Sequence, residues 1–314
     1  MAAAKLPVIA AFVANLLVAI AKYFAAFFSG SSSMLAEAYH STSDTLNQVA
    51  LYRGIHVSER KASKRHEFGY GKAAYFWSFV VAILIFGVAG AFSLVEGFHK
   101  MRDPHALDPA MAWWVYGVLV FAFLFESGAL FISIRELRKH QEDTGIATFS
   151  ETLRRTKNAP LVTVFTEDGL ALVGIVIAAV GVSATYATGN GVWDGAASFV
   201  IGLFLMVIAL LLARRSRDLI LGESMDPDHR LRVVEIVEGH PKVRSLVSLS
   251  SMYLGSEDLL VALDVDFEKG MSTDELERAV DDIEDAVREA VPGVRRIYVE
   301  AESGDRHVVE TTSA

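Results

Sequence analysis

The sequence predicts an α-helical membrane protein: six transmembrane helices followed by a C-terminal cytoplasmic α+β domain. Three observations predict it. The 314 residues are 52% hydrophobic with a mean hydropathy of +0.35, both high for a protein dissolved in water. Charge is divided unevenly, with 19 Lys and Arg against 16 Asp and Glu in residues 1–222 but 10 against 22 in residues 223–314. Long apolar runs recur through the first part and stop in the second. A slightly basic apolar part and an acidic part imply two domains in two solvents, 1–222 and 223–303, with 304–314 as a disordered tail.

Six segments are long enough to cross a hydrocarbon core, which takes about 20 residues: 7–28, 34–57, 73–98, 111–135, 159–187 and 193–214. The first run exceeds the apolar core of a signal peptide and is expected to be a retained helix. The second is the most polar. Arg60, Lys61, Lys64, Arg65 and Lys72 follow the second span, Arg138, Lys139, Arg154, Arg155 and Lys157 follow the fourth, and Arg214, Arg215 and Arg217 follow the sixth. The opposite loops hold only Lys100 and Arg102. The excess of cations on one side predicts that both termini are cytoplasmic, in a multi-pass protein of a plasma membrane.

Beyond residue 223 the pattern is that of a small soluble module. Asp226-Pro227 opens a helix to 239, and 243–254 and 258–267 alternate as strands. Ser272-Thr273-Asp274-Glu275 opens an amphipathic helix to about 290, and 294–300 is a last strand. With no cysteine in the chain, disulfides and thiolate metal sites are excluded.

Ionisable groups inside a membrane helix point to function. The second span holds Glu37, His40, Asp44, Asn47 and Gln48. His40 and Asp44 are four apart and share a face, a spacing that suits two ligands of one ion. Imidazole with carboxylate fits zinc, and also manganese, iron or cobalt; an internal pair without metal is the alternative. The fifth span supplies Glu167-Asp168. At about 1.5 Å per residue, Asp168 lies roughly 12–15 Å and Asp44 roughly 20 Å from the cytoplasmic ends of their helices, so both reach mid-membrane. Adjacent residues diverge by about 100°, which favours Asp168 as the ligand and leaves Glu167 as a ligand, a proton carrier or a packing residue. Asn15 and Lys22 share a face of the first span, either lining the pathway or with Lys22 snorkelling outward. Glu126 is deep in the fourth span, for helix pairing or proton transfer. His99, Asp103, His105 and Asp108 read as an ordinary polar loop. Gly117, Gly128, Gly174, Gly181 and Gly202 read as close-packing positions.

The His40-Ser-Thr-Ser-Asp44 pattern, Asp168, the His66-Glu-Phe-Gly-Tyr-Gly-Lys72 loop and six spans with a small α+β domain together resemble the cation diffusion facilitator family. The resemblance covers about 7–303. It implies a homodimer, a ferredoxin-like cytoplasmic domain, a tetrahedral metal site between the second and fifth spans, and antiport of zinc, or of Mn2+, Fe2+, Co2+ or Cd2+, against protons. The partners implied are the ion, protons, a second copy and the lipid membrane, with no nucleic acid and no cofactor. The family's usual ligand four residues before Asp168 is Val164 here, and a Glu-Asp pair like Glu167-Asp168 marks the subgroup of mitochondrial-type zinc transporters. The implied metal set is His40, Asp44, Asp168 and Glu167. His66 matches a loop ligand of the family, but Arg65 and Tyr70 replace its usual neighbours, so a structural role is favoured. His240, Asp264 and Asp266 stand near regulatory metal positions, with a solvated acidic face as the alternative. A non-transporting scaffold or metal sensor is the second reading. No enzyme constellation is present.

Overall fold

A computed structural model describes residues 5–302, with side chains from Asn15 onward; the tail expected at 304–314 lies outside the described residues. The chain divides into two units. Helices α1 (Lys5–Ser29), α2 (Ser32–Ser58), α3 (Ala73–Arg102), α4 (Ala112–Thr144), α5 (Phe149–Arg155), α6 (Ala159–Thr188) and α7 (Val192–Leu221) build the first, up to Arg217. The second unit joins residues 57–72 to everything from Asp218 onward.

Four helices are long and apolar enough to cross a membrane: α3, the Pro109–Thr144 segment containing α4, α6 and α7. The described part of α1, Asn15–Ser29, is apolar but shorter, and α2 fails on polarity. The reason in α2 is an inverted distribution. Ala36, Glu37, His40, Ser41, Asn47, Ala50 and Leu51 recur at three- and four-residue steps and are buried. Leu46, Val49, Tyr52 and Ile55 occupy the exposed face. A helix with its polar stripe turned inward suits a surrounding of lipid.

Two boundaries differ from expectation. α4 runs on to Thr144, because 33 residues rise about 50 Å and its last turns extend beyond a 30 Å core. The separate helix α5 starts at Thr148, whose hydroxyl accepts from the Glu151 N–H at 3.3 Å. α3 also contains a π-helical stretch, Ile85–Ala91, that widens it where it meets α7.

Without a hydrophobic force between helices in lipid, close backbone approach does the work. Gly90 and Gly97 of α3 face Gly202 and Gly195 of α7: a Cβ on Gly97 would overlap the Phe199 N–H, and one on Gly202 the Gly90 carbonyl at 2.7 Å. Ser198 Oγ donates to the Ser93 carbonyl at 2.9 Å along this seam. Gly181 packs on Ala197, and Gly174 makes room for the Glu37 carboxylate. Gly117 and Gly128 face open space, so they are not close-packing positions.

The second unit is an α/β module with a three-stranded sheet in the order β1 (Val243–Gly255), β2 (Asp258–Phe267), β3 (Val294–Ala301), antiparallel then parallel. Helices α8 (Pro227–Glu238) and α9 (Thr273–Ala290) complete it. The Ser272–Glu275 capping box forms as the sequence predicts, with Glu275 accepting from the Ser272 N–H at 2.9 Å. Those hydrogen bonds hold the Glu275 carboxyl below its ordinary value. Ala279, Ile283 and Val287 of α9 and Val233 and Val237 of α8 bury against Leu259, Val261, Leu263 and Val265, alternate residues of β2. Each full burial of such a chain contributes about 1.5–3 kcal/mol. The 57–72 loop belongs to this unit: Gly71 abuts the Leu254 carbonyl, Lys72 Nζ donates to the Ile220 carbonyl at 3.2 Å, and Arg296 lies 5.7 Å over the Phe68 ring.

Candidate metal pathway

His40 and Asp44 lie one turn apart on the inward stripe of α2. His40 Nδ1 is 3.4 Å from Asp44 Oδ1, and the His40 ring is 1% exposed. Neither ring nitrogen makes a hydrogen bond, and neither does Asp44 Oδ1. Buried polar atoms almost always find a partner, so this group is built for something other than the protein's own hydrogen bonding.

Asp44 opens onto a cavity of about 640 Å³ whose walls also hold Asn15, Gln48, Glu126, Val164, Glu167 and Asp168. Glu167 and Asp168 therefore share one space with Asp44, although their side chains diverge along α6. Glu167 Oε1 accepts from Asn47 Nδ2 at 2.9 Å, a direct tie from α6 to α2. Among the described residues, no three His, Asp or Glu side chains sit close enough together to hold one ion. His40 is next to Asp44 but not in the cavity wall.

The cavity is one-sided. Gln48 and Leu51 lie on the C-terminal side of Asp44 along α2, and Val164 on the N-terminal side of Asp168 along α6. Both directions lead to helix ends that adjoin the basic loops. The other side is closed by a charge network. Lys22 Nζ donates to Glu37 Oε2 and to Ser41 Oγ, each at 2.8 Å, with Lys22 and Glu37 fully buried. Lys22 therefore does not snorkel. An isolated buried ammonium is prohibitive, and the Glu37 carboxylate in the Gly174 recess supplies its counter-charge. Asn15 does line the cavity, as one of its two expected roles required.

Asp194, fully buried in the first turn of α7, was not singled out in the sequence. Its carboxylate accepts from Ser31 Oγ at 2.7 Å, from the Ser32 N–H at 2.6 Å, from the Ser33 N–H at 3.2 Å, and from the Ser32 and Ser33 hydroxyls. It anchors the N-terminus of α2, the helix that carries His40 and Asp44. The available signal was an Asp opening an apolar span, opposite a triple-serine helix start.

Outside this region the expected bland readings hold. His66 packs on Tyr70 at 4.5 Å between ring centres, and Tyr70 Oη is 3.0 Å from Ser63 Oγ. His240 Nε2 is 3.8 Å from Asp282, Asp264 accepts from Ser248 Oγ, and Asp266 pairs with Arg244 at 3.2 Å. His105 and Asp103 are exposed, and Asp108 caps a short turn through the Ala110 N–H.

Apolar helices around a buried carboxylate cavity define a multi-pass membrane protein with an internal polar pathway. Residues 8–221 match the cation efflux transmembrane domain and residues 225–303 the cation efflux protein cytoplasmic domain. The chain belongs to the cation efflux, or cation diffusion facilitator, family. It is 29% identical over 247 residues to the "Proton-coupled zinc antiporter SLC30A9, mitochondrial" of Mus musculus, covering 79% of this chain and 43% of that protein. It is 29% identical over 256 residues to "Metal tolerance protein C4" of Arabidopsis thaliana, covering 81% and 55%. The magnetosome protein MamM of Paramagnetospirillum magneticum is 26% identical over 308 residues, covering 92% and 85%. The chain thus spans less than half the length of the SLC30A9 relatives it matches.

Proposed function

We propose that the protein exports a divalent transition-metal cation, Zn2+ foremost, across a membrane in exchange for protons, and that His40, Asp44 and Asp168, with Glu167 beside them, hold the ion in transit. The observation that carries this reading is the cavity between α2, α4 and α6, with Asp44, Glu167 and Asp168 in its wall and the unpartnered His40 ring behind Asp44. Imidazole nitrogen and carboxylate oxygen are zinc ligands. Two relatives carry the words zinc antiporter or metal tolerance in their names.

In this reading α1 and α2 join the four apolar helices as spans, giving six. The basic loops and the ferredoxin-like acidic module face the cytoplasm, and the module pairs two copies. The cavity then opens inward, so the conformation is the one that loads metal from the cytoplasm. Metal ligands bind only when deprotonated, so ion and protons compete for the same groups. Release outward and protonation of the emptied site alternate, and protonation lowers the cost of returning an empty anionic site through the membrane.

The test is zinc flux in proteoliposomes under an imposed pH gradient. Flux that rises when protons run down their gradient against zinc supports the exchange. Flux indifferent to the gradient excludes it, and the absence of flux removes transport altogether, leaving a scaffold or sensor.

A further inference from the structure

On the reading that the cavity holds a metal ion, we propose that Glu126 of α4 is a direct ligand of the transported cation and fills the place left by Val164. Val164 lies four residues before Asp168 on the same face of α6, is 37% exposed and contributes to the cavity wall, but it has no donor atom. Glu126 stands in the same cavity wall on a third helix. Its side chain is 8% exposed, and it makes no hydrogen bond or ion pair among the described residues.

The other buried acids in this unit are accounted for. Glu37 pairs with Lys22, Asp194 holds the serines of α2, Glu167 accepts from Asn47, and Asp44 sits against His40. A carboxylate kept out of water without a direct partner is costly unless a cation visits it. Glu126 is therefore better placed than Glu167 to donate an oxygen. Glu167, tied across to α2 through Asn47, is a positioning residue that fixes α6 against the helix carrying His40 and Asp44.

The chemistry follows from the donor count. A tetrahedral ion takes four ligands. His40, Asp44, Asp168 and Glu126 supply one nitrogen and three carboxylates, drawn from three helices. Replacing an imidazole by a carboxylate hardens the site, which shifts preference toward Mn2+ and other hard ions at the expense of zinc and cadmium. A His at position 164 would shift it back.

The experiment measures Zn2+ and Mn2+ affinity of the purified full-length protein by competition with a chelating dye at fixed pH. The variants are Glu126→Gln, Glu126→Asp, Val164→His, the double Glu126→Gln/Val164→His, and Asp168→Asn as a control. Glu126→Gln is expected to weaken zinc binding by about 100-fold and Glu126→Asp by about tenfold, on the scale that ligand and outer-shell losses show. The double variant is expected to regain zinc affinity but not manganese affinity, because the new donor is imidazole. Wild-type binding in both Glu126 variants, with binding lost in Asp168→Asn, overturns the role of Glu126 and leaves the cavity as the metal site. Wild-type binding in Asp168→Asn as well would instead overturn the site itself. Should Glu126→Gln not fold, Glu126→Asp, which keeps the charge and draws it back by one methylene, decides alone.

Discussion

Replacing Lys22 by Ala should be among the most destabilising single changes in the helical unit. Lys22 and Glu37 are in direct contact at 2.8 Å, and neither side chain is exposed. Removing the ammonium leaves the Glu37 carboxylate confined in a recess shaped by Gly174, with Ser41 as its remaining polar neighbour. Breaking one partner of a buried pair costs about 3–5 kcal/mol. At roughly 2–4 °C per kcal/mol for a unit of this size, the loss lowers the thermal midpoint by about 6–20 °C. Converting both groups, as in Lys22→Met with Glu37→Gln, removes the orphaned charge and should recover most of that loss. The assay is thermal unfolding of detergent-purified protein for the two single variants and the double, read as a double-mutant cycle. A coupling of about 2 kcal/mol or more is the expected outcome. If Lys22→Ala shifts the midpoint by less than the double variant does, the pair is not the internal counter-charge described here.

Two further changes test other joints of the fold. Asp194→Ala unseats the first turn of α2, leaving the Ser32 and Ser33 N–H groups without their carboxylate; a loss of at least about 3 kcal/mol is expected in chemical denaturation, with Asp194→Asn intermediate. Ser272→Ala removes the cap of α9 and should destabilise the acidic module by about 1 kcal/mol. The Glu275 carboxyl is held below its ordinary value by the same cap. Its contribution is therefore present above the unfolded value and is lost as pH falls through the folded one. Melts of the wild type between neutral and acidic pH should show that loss, and Ser272→Ala should flatten it.

Much of this organisation was legible because it follows from local chemistry. The α8–β1–β2–α9–β3 order was readable from Asp226-Pro227, the period-two runs and the Ser272–Glu275 box, since caps and alternation act over a few residues. The role of α2 was readable because charged groups in a span have few bland explanations. What stayed hidden was three-dimensional. The Lys22–Glu37 pair joins residues 15 apart in sequence and Asp194 joins α7 to α2 across 161 to 163 residues. Nothing local distinguishes a lysine that snorkels from one that meets a carboxylate on the neighbouring helix. Gly117 and Gly128 misled for the same reason: a glycine in a span permits close approach, but only the neighbouring helix decides whether the space is used. The joining of residues 57–72 to the acidic module was likewise invisible, because a basic loop between two spans gives no hint of what it packs on.

The central claim is that α2 and α6 bring one imidazole and their carboxylates around a single cation. Anomalous X-ray scattering at the zinc edge, on protein crystallised with Zn2+, tests it most directly. The account predicts one peak in the helical unit, within about 2.0–2.2 Å of His40 nitrogen and of Asp44 and Asp168 oxygens. A zinc peak confined to the acidic module, or one in the helical unit that touches neither Asp44 nor Asp168, would contradict it.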